Sequence, residues 1–340
     1  MLQRAASGPP LALQRSVTRL LPLVTSAVLA TYMPFCTPRI HSTMPQAEVQ
    51  KHMNELWDSP DDVASRDLEY GPWGKEHAPN ADATFTFAHL KTNGISPGMT
   101  IKDPEGREWS VKQSPDEGKV EVTLSRVLSA LGYHQPPVYH LETFSMMDEH
   151  GLRTMPGGRF RPKLKELDEV GEWSWQQNPF VGTKPYEGLL VILMVFNSSD
   201  LKNSNNSLYE FKPKGADAEL AASGAKKEQW YVVRDLGAAL GETARLTPKE
   251  NKPDIFAREK FISSVHDGFV EFSYHGWHQE LFLNRITPAD VRWGCELLSK
   301  LTDRQWDEAF HAGGYDPAIA ARFIETLKKR IAQGLQVEGA

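Results

Sequence analysis

The sequence predicts an α+β protein in two unequal parts, a small strand-rich part over residues 83–180 and a mostly helical part over 181–340. Two observations predict it. Between Ala83 and Phe144 apolar and polar residues alternate in short runs broken by turn formers, the pattern of half-buried strands, with one helix among them. From Thr183 onward, apolar segments open on capping pairs, the pattern of successive helices. A chain of 340 residues can build both parts, each with its own core.

The first thirty residues differ from the rest. Arg4, Arg15 and Arg19 precede an uncharged stretch over 20–38, with Val28-Leu29-Ala30 as a cleavage site. That is the shape of a secretory signal, which predicts export to a periplasm or to the outside. An uncleaved leader would be the only membrane contact, and translation from Met44 would leave the protein cytoplasmic. Residues 31–82 read as a linker and N-terminal extension, with one short helix over 46–57 and an ordered aromatic loop over 66–74.

Strand signals begin with ATFTFAHL at 83–90. MTIKD at 99–103 and REWSVKQ at 107–113 flank Pro104-Glu105-Gly106 at hairpin spacing. A helix follows over 116–131, with Val120, Leu124, Val127, Leu128 and Leu131 on one face and Gly132 as its stop. VYHLETF at 138–144 is another strand. After a polar, Trp-containing segment, Thr183 and Pro185 open a helix over 183–196 that is apolar all round and therefore buried. SLYEF at 207–211 and QWYVVRD at 229–235 are short strands joined by a small polar loop. One or two strands lie within 261–274. Thr287-Pro288, Thr302-Asp303 and Asp316-Pro317 cap three closing helices.

Composition narrows the function. Apolar residues make up 40% and charged residues 24%, ordinary for a globular protein. The net charge of −6 and the lack of a basic run set nucleic acid aside. Cys36 and Cys295 stand far apart and make neither a disulfide framework nor a zinc pair. His266, His275 and His278 lie near Glu280, but outside a helix their spacing does not put two rings on one face.

Three short motifs carry chemistry. Asp200-Leu201-Lys202-Asn203-Ser204-Asn205 follows the buried helix. Asp235-Leu236-Gly237 ends an apolar strand. Lys112 ends the strand Trp109-Ser110-Val111-Lys112, and Glu121 stands at the edge of the next helix's apolar face, with Glu117 as a rival partner for the lysine. Taken singly, each has a bland reading: a polar turn, a strand-end aspartate, a solvated lysine. In this order they resemble the catalytic set of the protein-kinase-like superfamily, over roughly residues 83–300.

That resemblance implies a two-lobed kinase-like fold, with a small strand-rich N-lobe and a mostly helical C-lobe, and ATP- and Mg²⁺-dependent phosphoryl transfer. Asp200 would orient the acceptor hydroxyl and Lys202 would neutralise the transferred group. Asn205 and Asp235 would hold Mg²⁺. Lys112, fixed by an ion pair with Glu121, would contact the α/β-phosphates, and Gly98, at the end of Gly94-Ile95-Ser96-Pro97-Gly98, would cover them. The partners implied are a nucleotide and a phosphoacceptor of unassigned class. Several features depart from the common pattern. Ser198-Ser199 replace His-Arg before Asp200, no G-x-G-x-x-G precedes Lys112, and no Ala-Pro-Glu follows Gly237. They point to atypical branches similar to HipA-type and phosphoinositide-kinase-like proteins. A catalytically inactive binding module and an AMP transferase on the same fold are the alternatives.

Overall fold

The computed structural model describes residues 39–91, 98–212, 229–242 and 251–338. The leader, Cys36 and residues 94–97 lie outside the described residues. β1 (His41–Ser42) precedes α1 (Gln46–Val49), which tightens into a 3-10 turn over Gln50–Glu55. The helix expected over 46–57 is thus α-helical only in its first turn. β2 (Thr84–Lys91), β3 (Gly98–Lys102) and β4 (Glu108–Lys112) lead into α2 (Pro115–Ala130). β5 (Tyr139–Asp148), β6 (Gly151–Pro162), β7 (Leu167–Gly171) and β8 (Gln177–Asn178) follow. Next come α3 (Lys184–Val195), β9 (Asn206–Phe211), β10 (Gln229–Val233) and α4 (Pro253–Arg258). β11 (Ile262–His266), β12 (Phe269–Phe272), α5 (Pro288–Ser299), α6 (Asp303–Ala312) and α7 (Pro317–Leu335) complete the described chain. The protein is mixed α+β.

β2, β3, β4, β6 and β5 close into a barrel in that order. Period-two alternation sorts their side chains. Phe85, Ile101, Trp109, Val111, Phe144 and Phe160 fill the interior, which leaves Ser110, Lys112, Arg159 and Arg161 on the outer face. β6, twelve residues long, runs through the segment read from sequence only as polar and Trp-containing. Pro156-Gly157-Gly158 hides it by breaking the alternation. The glycines are there for space, because a Cβ on Gly157 would stand 1.8 Å from the Leu141 carbonyl oxygen, and one on Gly158 would stand 2.3 Å from that of Lys112.

A second, larger core joins α2, α3, α5, α6 and α7. α3 is buried from Pro185 to Val195, as its uniform apolarity requires. Thr287 and Thr302 form complete capping boxes, and the side chains of Thr183 and Asp316 cap their helices too. Residues 39–82, read as a linker and extension, are bound into this core. Val49, Leu56, Val63 and Leu68 are buried in it, and Gln305 Nε2 donates to the Val63 and Arg66 carbonyls at 2.6 and 2.9 Å. β1 pairs in parallel with β8. β10, β9 and β7 form a separate antiparallel sheet. Among the described residues, no helix is long and apolar enough to cross a membrane.

Candidate active site

β9 and β10 bring two of the motifs together. Asn206 stands opposite Val233 in their register, so the residues flanking the pair meet at one end of the ladder. The Arg234 and Asp235 amides donate to the Asn205 carbonyl at 2.9 and 3.3 Å. The Asn205 side chain donates from Nδ2 to the Asp200 carbonyl at 2.6 Å. The Ser199 amide donates to the Ala238 carbonyl and the Trp277 amide to the Ser199 carbonyl, each at 3.0 Å. The turn carrying Asp200 is therefore pinned between residues 234–238 and 277. Lys202 Nζ lies 2.9 Å from Asp200 Oδ1 and 5.1 Å from the centroid of the Trp277 ring.

The barrel supplies the third motif. Lys112 ends β4 on the outer face, and its Nζ lies 3.2 Å from Asp235 Oδ1 and 3.0 Å from Glu117 Oε2. Burial acts to lower the Lys112 ammonium, and the carboxylates of Asp235, Glu121 and Glu117 outweigh it, holding the group above its usual range. For Asp235 burial acts upward, yet Lys112, with Arg159 and Arg161 behind it, keeps the carboxyl below the ordinary range. Its side chain is still 46% exposed, so a ligand can reach it.

The ion pair expected between Lys112 and Glu121 does not form. Glu121 is 1% exposed and lies 3.0 Å from Arg159 Nε and 2.6 Å from Arg161 NH2. Both arginines come from β6. α2 lies against that strand at Gly118, where a Cβ would be 3.2 Å from the Arg159 amide nitrogen. One turn before Glu121, Glu117 overlies Gly237, where a Cβ would meet that of Glu117 at 2.9 Å. The helix therefore gives Glu117 to Lys112 and Glu121 to the arginines. Gly98 stands opposite Lys112 in the β3–β4 register, while residues 94–97 of the proposed covering loop lie outside the described residues.

A cavity of about 360 Å³ opens beside this cluster, between the barrel and the β7–β9–β10 sheet. Ser110, Arg161, Leu167, Tyr209 and Arg234 are among its walls. His278 contacts Gln176 Nε2 at 2.6 Å and Glu280 Oε1 at 2.7 Å. No group of three or more His, Cys, Asp or Glu side chains placed to hold a metal occurs among the described residues. Mg²⁺ needs less, since it is commonly held by one or two carboxylates plus phosphate oxygens and water. Asp235 and Asn205 fit that demand. The Asn205 NH₂ is committed to the Asp200 carbonyl, which leaves the amide oxygen as the atom that could face a cation.

No protein-family model matches the chain, and no curated protein matches it. Among solved structures it is similar to a Helicobacter pylori proinflammatory kinase, CtkA, at 11% identity and a TM-score of 0.41, over 76% of this chain and 97% of that one. So distant a likeness transfers no activity, and the site is read from its own residues.

Sequence reasoning missed Arg159, Arg161, Arg234 and Lys91. The alternation of Arg159-Phe160-Arg161 was the one available signal for a strand there, with both arginines on one face.

Proposed function

We propose that this protein is an ATP- and Mg²⁺-dependent phosphotransferase of the protein-kinase-like kind. The observation that carries the reading is the contact of Lys112 with Asp235, which joins the outer face of the barrel to the end of β10 at 3.2 Å. Phosphoryl transfer demands a cation for the phosphates beside a carboxylate for the metal, and here the two touch. The barrel and the helical body would be the two lobes, with the nucleotide between them.

Asp235 and Asn205 would hold Mg²⁺, which when bound would neutralise charge on the phosphates. Lys112 binds and orients the polyphosphate. Asp200 accepts a hydrogen bond from the acceptor hydroxyl and aims it, and Lys202 stabilises charge on the group in flight. The Ser199–Trp277 and Asn205–Asp200 bonds hold these residues in register before substrate arrives.

A nucleotide-binding module without catalysis is the second reading. The Lys202–Asp200 ion pair favours it, because it already neutralises the carboxylate that would orient a substrate hydroxyl. Thermal stability with and without Mg²⁺ and ATP, together with release of labelled γ-phosphate, separates the two. A shift with turnover that Asp200→Asn removes supports the phosphotransferase. A shift without turnover supports the binding module. No shift at millimolar ATP rejects both.

A further inference from the structure

The outer face of the barrel presents cross-strand rows. His89, Thr100, Ser110 and Arg161 stand opposite one another, and so do Lys91, Gly98, Lys112 and Arg159. The second row places cations on both sides of a glycine. The Lys91 stem lies over Gly98, its Cδ 3.5 Å from where a Gly98 Cβ would be, an ordinary van der Waals distance. Lys91 crosses the row, and its Nζ donates to Ser110 Oγ at 2.6 Å. Arg159 NH1 donates to the same oxygen at 3.3 Å and to the Ser110 carbonyl at 3.2 Å.

Two cations thus converge on one neutral hydroxyl. Lys91 has no ion-pair partner among the described residues. Arg159 shares Glu121 with Arg161, and both arginines are 8% exposed; Arg159 Nε faces the Glu121 carboxylate, and Arg161 Nε lacks a hydrogen-bond partner. Arg234, on the same cavity wall, is paired with Glu169. Like charges brought this close in a partly buried site repel. An oxyanion reached by both would reverse the sign of the interaction, and Ser110 still has its own O–H to donate.

We propose that Lys91, Ser110 and Arg159 form an oxyanion subsite on the barrel face, beside Lys112, that binds a phosphate group of the nucleotide's polyphosphate chain. The assignment to a nucleotide rests on the phosphotransferase reading, whereas the oxyanion subsite itself does not. Burial first, then Arg159, Arg161 and Arg234, bring the Lys91 ammonium down to about 8, as expected of a lysine crowded by like charge. The subsite would perform part of the phosphate-holding task for which the sequence offers no G-x-G-x-x-G loop.

Calorimetric titration of the full chain with ATP, adenosine and tripolyphosphate tests it, on wild type and Lys91→Met. Arg159→Met strips a partner from buried Glu121 and can fail to fold, so exposed Lys91 carries the test, with melting curves to verify the fold. The expected result is a loss of about tenfold in affinity for ATP and tripolyphosphate, the size of one charge-assisted hydrogen bond, with adenosine unchanged. Equal ATP affinity in wild type and variant overturns the subsite and leaves the phosphotransferase reading standing. Equal weakening of adenosine and ATP also overturns it, as does wild type that binds neither polyphosphate. If wild type binds tripolyphosphate but neither ATP nor adenosine, and Lys91→Met weakens that binding about tenfold, the subsite stands and the nucleotide reading falls. The phosphate then belongs to another phosphorylated molecule.

Discussion

Lys112 and Asp235, 123 positions apart in the chain, meet at 3.2 Å where the barrel faces the end of β10. Each holds the other in its charged form against burial. Under the proposed function, Asp235 would turn to the metal and Lys112 to the phosphates. The pair keeps both groups ionised.

Asp235→Asn removes the carboxylate while conserving shape. Mg²⁺-dependent turnover is expected to fall at least about a hundredfold. The unliganded melting temperature should change little, because Lys112 retains Glu117. Steady-state kinetics over a Mg²⁺ series, beside melting curves, measures both effects.

Glu117 and Glu121 should separate cleanly. Glu121→Ala leaves Arg159 and Arg161 buried without their carboxylate, and a loss of roughly 3–5 kcal/mol is expected. Glu117 is 44% exposed, so Glu117→Ala should cost less than about 1 kcal/mol while raising the KM for ATP, because the lysine is then held by Asp235 alone. Urea unfolding and kinetics on the two variants give the comparison. Equal destabilisation would contradict the assignment of partners.

Glu187, buried in the first turn of α3, has its carboxyl pushed up to about 7, chiefly by burial and partly by Asp290, against the pull of Arg285. A carboxyl raised on folding binds its proton more tightly in the native state. Its penalty therefore grows as pH rises from about 4.3, the unfolded value, to about 7, and stays constant above. Glu187→Gln should be more stable than wild type at pH 8 by about 3–4 kcal/mol, with the gap closing near pH 4. Unfolding at both pH values measures it. A gap of constant size would mean that Glu187 does not titrate in this window.

A chain started at Met44 would lack β1. The His41 amide donates to the Gln176 carbonyl and the Thr43 amide to that of Asn178, at 2.9 and 3.1 Å, and Ser42 Oγ donates to the Pro179 carbonyl at 2.7 Å. At about 1 kcal/mol each, their loss should lower stability by about 2–3 kcal/mol relative to a chain begun at Arg39. Denaturant unfolding of the two proteins would show it.

The sequence by itself determined what is local. Thr287, Thr302 and Asp316 announced their helices because a cap is a contact within three residues. The uniform apolarity of α3 announced burial. Asp200, Asn205, Lys112 and Asp235 stood out because each motif is short and falls at the end of a legible element. Only the tertiary structure decided which charges pair. Glu117 and Glu121 are one turn apart on the same face of α2, and either could face Lys112 in a helix of the right tilt. The choice was made by β6, which brings Arg159 and Arg161 to Glu121 through the close approach at Gly118. That strand was illegible because Gly157 and Gly158 serve a contact between backbones far apart in the chain, and alternation along one segment carries no trace of a strand packed across it.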